Sequence, residues 1–576
     1  MQLLAMAVAL VVPTAMAKNA SSPWCRNASA PAIPGMYGDI GPGIGFVGPE
    51  RHGVFVDVPL DVAPIFSQGL AHFWGFNVPE SCRNFETAVA LNPACALCHW
   101  GVVACNSPNL QLHTSPAQQK IVNQAAATAH ALAQNQTLTA KSMRLIEAAM
   151  TLVGDEPDEP PYNVRKRYAK AMCAPMPGDN GDGAAGDPDI DALCGGALMS
   201  TSPWDYYQGV PAGGTYPLKP EMVDAKDRLL ATVTRGRHGG PHPLAIHYLI
   251  HLLEPTNAPA SYRQEALPWA LALYGGGRAK GDELVPSQGH LTHMPAHLFL
   301  RVGLYHQAVL TSIAAATNNA RYVDNCLTPY VFFHNLHMLV AGAILGGERG
   351  VALEYSKALR NYSDGTPVWD PLEANIYAAF GMWSALERMP PPAATAGGRE
   401  ASSVHYGKAL AHYARGDAKA GDAEAALSRK AAASSMTKRI DVAIGFELTA
   451  VRAWRIDRDA PSAIAAYEKE IAEIDSWAYY EPPGEFHTWY YSVRRCLGAV
   501  YLADTPHRNA TAALEMYTRD LATFVNNSWS LVGAAQSLGM LGRKVEAAQM
   551  AAWAKIAWNH SDVPLPVSPC PQLAYD

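Results

Sequence analysis

The chain has 576 residues, 49% of them hydrophobic, and a formal net charge of -7. A chain of that length and apolar content is not largely disordered; it calls for one very large or elongated core, or for several domains. The charge is modest and no Lys/Arg block or basic stripe runs along the sequence, which speaks against a nucleic-acid partner.

The first residues, MQLLAMAVALVVPTAMA, hold a short apolar run from Leu3 to Val12, then Pro13 and a small-x-small pattern at Ala15, Met16 and Ala17. They read as a secretory signal peptide, residues 1–17, cleaved before Lys18. No other segment reaches the roughly 18 uninterrupted apolar residues of a membrane span. The expected location is outside the cell or in the lumen of the secretory pathway. Seven N-x-S/T sequons, at Asn19, Asn27, Asn135, Asn361, Asn509, Asn526 and Asn559, fit a glycoprotein on that route.

Ten cysteines form an even set, compatible with disulfides in an oxidising compartment. Cys95 and Cys98, with Cys82 and Cys105 nearby, have a second reading as a metal or redox cluster. A four-cysteine zinc site normally shows two separated CxxC pairs and only one exists here, so local disulfides are the expectation, with connectivity left open.

Residues 18–60 are Pro/Gly-rich and should wrap the surface. From residue 62 onward, Ala-rich stretches with a period of about 3.6 residues recur and strand signals are scarce. Gly69, Phe85, Ala88 and Pro93 have the offsets of a 34-residue helix-turn-helix repeat. In HLFLRVGLYHQAVLTSIAAA the same marks fall on Gly303, Tyr305 and Ala308, and in LVAGAILGGERGVALEYSKAL on Gly347, Ala352 and Tyr355. These segments resemble tetratricopeptide repeats. The fold expected is therefore all-α, a tetratricopeptide-like α-solenoid whose stacked helix pairs enclose a concave groove. Residues 61–388 form its first helical region, 389–402 (MPPPAATAGGREAS) a linker, and 403–576 a second helical region. The stretch PMPGDNGDGAAGDPDIDA offers Asp179, Asp182, Asp187, Asp189 and Asp191, yet it lacks the carboxylate order of an EF-hand and reads as a solvated loop.

Ten of the twenty histidines lie between Arg237 and Leu339. His247/His251 and His293/His297 are HxxxH pairs and His334/His337 an HxxH pair, spacings that put both rings on one side of a helix. His290 and His293 lie thirteen and ten residues before Gly303, and His334 and His337 lie thirteen and ten before Gly347. Their repeat registers coincide, so stacking should turn these pairs toward the same groove. On a helix, His290, His293, His297 and Arg301 span an arc of about 80°, and His247, His251 and Glu254 a similar one. His242 points elsewhere, and His238 and His306 fall at the margins.

Packed imidazoles must stay neutral, and a transition-metal ion satisfies several acceptor nitrogens at once. His247, His251, His290, His293, His297, His334, His337 and Glu254 are thus the candidate ligands for copper, zinc or iron, with Glu254 either a ligand or an orienting partner. The arrangement is similar to dinuclear copper centres, in which each ion takes three imidazoles. If the centre is catalytic, it would use oxidative chemistry or hydrolysis by metal-bound water, with Arg301 on an anionic substrate group. Trp204 and Asp205, with Tyr206 and Tyr207, precede the first histidine helix and are candidates to border the groove, structural packing being the first expectation for the aromatics. The competing reading is a scaffold without enzymatic activity, whose histidines hydrogen-bond to a small molecule or peptide in the groove. HExxH, GxSxG, P-loop and GxGxxG motifs are absent.

Taken together, FNVPESCRNFETAVALNPACALCHWGVVACNSPNL, ALMSTSPWDYY, HPLAIHYLIHLLE, GHLTHMPAHLFLRVG, FFHNLHML and YYEPP resemble a broad, poorly characterised family of exported tetratricopeptide-repeat proteins, over about residues 62–555. The resemblance implies the fold and the groove-facing first helices, and no particular activity. In YYEPPGEFHTWYY, Glu481 and His487 would approach the groove if the superhelix closes on itself, and a helix start at Pro482 and Pro483 is the simpler expectation.

Overall fold

The computed structural model describes residues 55–110, 114–154, 161–175, 186–208, 216–235, 241–255, 258–274, 288–324, 332–362, 372–393, 396–433, 438–476 and 493–573. The signal peptide, the Pro/Gly-rich segment, Cys25, His238, Cys326, Glu481 and His487 lie outside them. Among the described residues the chain is all-α, with 24 α-helices and no β-strand beyond one isolated bridge, Tyr207 to Leu218.

Among the described residues six pairs of successive helices are closed by one recurring turn. Leu304 N donates to Phe299 O, Glu348 N to Ala343 O, Met382 N to Tyr377 O, Asp417 N to His412 O and Arg543 N to Leu538 O, all at 2.8–2.9 Å. Each bond spans six residues around a left-handed residue: Gly303, Gly347, Gly381, Gly416 or Gly542. This is the Schellman ending of a helix, and glycine fills it because a side chain is strained there. The first pair, Ala63–Trp74 and Val78–Leu91, closes in the same way through Asn77 N and His72 O, with Phe76 in the left-handed position.

Small and large residues interlock between pairs. A Cβ on Gly69 or Gly101 would lie within 2.8 or 2.3 Å of the Phe85 ring, so both helices close directly on that aromatic. Tyr517 fills the same role between Gly498 and Gly533. Among the described residues one large core extends from Val58 to Leu573, and a smaller cluster of Leu502, Ala513, Tyr517 and Ala534 stands beside it. The large core crosses the segment 389–402, inside which the helix Gly398–Ala414 already begins.

The superhelix also meets itself. After the Lys544–Ala557 helix the chain returns to the Arg349–Tyr362 helix, where Asp562 accepts from Arg349 N (2.9 Å) and Gly350 N (2.6 Å). Nearby, Tyr305 OH donates to Val525 O at 2.6 Å and Ser561 Oγ to Gly347 O at 2.9 Å.

Two sequence expectations take a definite form. Four cysteine pairs lie at disulfide distance, Cys82–Cys105, Cys95–Cys98, Cys173–Cys194 and Cys496–Cys570, which removes the thiolates a metal cluster would need. The Gly/Asp stretch is not solvated throughout. Asp187 caps the Pro188–Ser200 helix, Asp189 is buried against Lys141 and His242, and Asp191 pairs with Arg235. Those partners come from other helices, which a local reading of the loop does not see.

Candidate metal centre

The Pro243–Leu253 helix starts with His242 as cap and Pro243 in its first position, and stops at Glu254 before Pro255. All eleven of its residues are buried, so His247 and His251, one turn apart, cannot face solvent. The Gly289–Arg301 helix is likewise buried all round. Gln288 fixes its start, its Oε1 accepting from His290 N (2.8 Å) and Leu291 N (3.1 Å). Pro295 sits inside this helix between His293 and His297, where it removes one backbone donor from the ladder. The Phe332–Gly346 helix adds His334 from its first turn.

These helices bring six imidazoles into two adjoining triads. His247, His251 and His290 form the first and His293, His297 and His334 the second; within each, one ligand atom per residue lies within 4.8 Å of the others. In the second triad, His297 Nε2 and His334 Nε2 are 3.0 Å apart. The triads are neighbours: the rings of His251 and His297 have centroids 5.5 Å apart, and those of His290 and His293 6.0 Å. Five of the six are at most 2% exposed, while His334 is half-buried.

The outer nitrogens are anchored. His247 Nδ1 bonds to Trp74 O at 2.6 Å and His290 Nδ1 to Gly75 O at 2.9 Å. His251 Nδ1 and His297 Nδ1 both approach Glu254 Oε1, at 3.5 and 3.0 Å. A ring that donates its Nδ1–H in this way keeps its lone pair on Nε2, the arrangement of metal-ligating histidines with an outer acceptor. His247 Nε2 and both nitrogens of His293 are buried with no hydrogen-bond partner among the described residues. Buried polar atoms are rarely left so, and each such case calls for a reason.

Electrostatics favour neutral rings. Burial pushes His247, His290 and His293 well below the ordinary histidine value, and neighbouring imidazoles push in the same direction. Burial alone would raise the Glu254 carboxyl, yet His297, His251 and Arg301 hold it well below its usual range.

The remaining expected residues divide. His337 is half-buried and belongs to neither triad. Glu254 stands behind the rings, contacting two of them at Nδ1. Arg301, expected on a substrate anion, is fully buried with its Nε 4.0 Å from Glu254 Oε2. Trp204 does border the centre, its ring edge-on to His251 at 5.0 Å and its Nε1 donating to Leu110 O. Asp205 does not; it is exposed and paired with Lys219.

Sequence reasoning missed the cover of the site. The turn between the first two helices lays Trp74 O and Gly75 O on the first triad, and the ring of Phe76 packs 4.3 Å from His247 and 5.8 Å from His290. The signal available was FWGFN, a turn with its glycine flanked by aromatics. The first repeat therefore covers the first triad.

No protein-family model matches the chain, and no curated protein matches it. Among solved structures it is similar to "Human IFIT1 dimer with PPP-AAAA", at 12% identity over 92% of this chain and 97% of that one, with a TM-score of 0.28.

Proposed function

We propose that this is a secreted, tetratricopeptide-like protein of the exported family it resembles, whose six-histidine centre binds transition metal, copper, zinc or iron, and carries out metal-dependent chemistry there. The observation that carries the reading is the orientation of the rings. Three of six imidazoles give Nδ1 to a fixed acceptor, a fourth, His251, turns Nδ1 toward Glu254 at 3.5 Å, and each triad gathers its ligand atoms within 4.8 Å. Metal–nitrogen bonds of about 2 Å put ligand atoms roughly 3.3–3.5 Å apart, a spacing these triads reach with small shifts. The depth of the centre weighs against a peptide lying along this stretch, because only His334 and His337 among the candidate ligands are partly exposed.

Export is supported by the four paired cysteine sets and by Asn135, Asn509, Asn526 and Asn559, sequon residues that are all exposed. Among the described residues no helix is long and apolar enough to cross a membrane.

The test is metal analysis of protein purified without a histidine tag. Stoichiometric transition metal, reduced in the variant His293→Ala plus His297→Ala, supports the proposal. Less than one equivalent, unchanged in that variant, overturns it and leaves the scaffold reading.

A further inference from the structure

We infer that the two triads form a single dinuclear copper centre whose co-substrate is dioxygen; the inference rests on the metal-binding reading above. Three observations lead to it. First, the triads are equivalent in chemistry: three imidazoles each, with no carboxylate and no thiolate among the six. Such all-nitrogen sets suit copper and zinc better than hard cations, which prefer oxygen. Secondly, the triads adjoin, with rings from opposite sets 5.5 and 6.0 Å apart. That proximity suits the metal separation of about 3.5–4 Å at which two ions act on one small ligand.

Thirdly, the surroundings favour low charge. Five of the rings are buried, and among the described residues the charged groups set against them are the Glu254 carboxylate and the Arg301 guanidinium. The cost of burying an ion grows with the square of its charge. Two monovalent copper ions bring two units less charge into this interior than two zinc ions would. Neutral imidazoles stabilise Cu(I), and the single carboxylate then serves to orient His251 and His297 rather than to neutralise metal.

The reaction this arrangement supports is the two-electron reduction of dioxygen. With one Cu(I) held by His247, His251 and His290 and one by His293, His297 and His334, the pair would supply the two electrons that take dioxygen to the peroxide level, each copper becoming Cu(II). No further reductant is needed for that step. The ligand is small enough for a centre in which His334 alone is half-buried.

The experiment loads the full-length, tag-free protein with Cu(I) under nitrogen, counts bound copper, admits air, and records electron paramagnetic resonance and the near-ultraviolet spectrum. The expected result is two coppers per chain, an intense new charge-transfer band, and loss of nearly all paramagnetic signal through coupling of the two Cu(II) ions. His334→Gln, altering the more exposed triad, should lose one of the two coppers and give a normal Cu(II) signal after oxidation. One copper per chain, or two with full paramagnetic intensity, overturns the dinuclear inference while metal binding stands. Selective uptake of zinc with no response to air overturns the copper and dioxygen assignment. Failure to bind any metal removes the underlying proposal as well.

Discussion

His247 Nδ1 lies 2.6 Å from the carbonyl oxygen of Trp74, a residue 173 positions earlier in the chain. His290 makes the matching bond to Gly75 across 215 positions. Two rings of the first triad are thus set by backbone atoms of the first repeat. The turn is held close: a Cβ on Gly75 would sit 2.2 Å from the Gln288 side-chain amide, the group that caps the His290 helix. Gly75→Ala should displace Gln288, cost about 1 kcal/mol through loss of the cap, and loosen His290. Denaturant unfolding and chelator competition on the same variant check both effects. Unchanged metal retention at reduced stability would show that the turn supports the fold and not the centre.

Glu254 faces two imidazole Nδ1 atoms and the Arg301 guanidinium. Replacing it by Gln keeps the shape but removes the charge that orients both rings. The expected outcome for Glu254→Gln is a loss of about 10- to 100-fold in metal affinity, read by competition with a chelator, with helical circular dichroism unchanged. Glu254→Ala leaves Arg301 buried without this carboxylate and should destabilise the fold by about 3–5 kcal/mol.

A pH dependence unconnected with the centre follows from Asp189. Burial would raise its pKa, but Lys141 and His242 bring it from 3.8 down to about 2. The folded value is depressed, so the stabilisation is complete above the unfolded value and disappears as pH falls toward about 2. A shift of that size corresponds to about 2 kcal/mol. Unfolding free energies measured from pH 5 to pH 2 should fall about 2 kcal/mol further for the wild type than for Asp189→Asn. Parallel curves would remove Asp189 as a source of acid sensitivity.

The helical repeat and the histidine helices are legible in the sequence because both depend on local periodicity. HxxxH spacing fixes a helical face, and the repeat register places His290 and His334 on successive first helices. The register also pointed to His337, and there it falls short. Three residues along a helix is a rotation of about 60° away, so where His334 reaches His293 and His297 its neighbour does not join them. FWGFN marks a turn, but that the carbonyls of Trp74 and Gly75 would meet His247 and His290 was not legible, because carbonyl oxygens are the same in every residue. Nor were the partners of Asp189, which arrive from helices about fifty residues away on either side. Long-range closure of the superhelix sets these contacts, and no short window of sequence contains it.

That closure can be measured at two glycines with the same backbone angle and different surroundings. Gly303 has φ +77 and Gly416 φ +78. At Gly416 a Cβ would meet nothing within 4 Å, so Gly416→Ala should cost only the left-handed strain, about 1–2 kcal/mol. At Gly303 the added carbon would lie 2.4 Å from Val525 O and 2.8 Å from the Asn526 side chain, atoms of the repeat that returns from the C-terminal end. Both strain and displacement then act. Gly303→Ala should be the more destabilising by a margin larger than 1 kcal/mol and should raise hydrogen exchange in the Ser528–Met540 helix, which follows the displaced turn. Equal costs at the two positions, with exchange in that helix unchanged, would mean that the returning repeat is not held at Gly303 in solution.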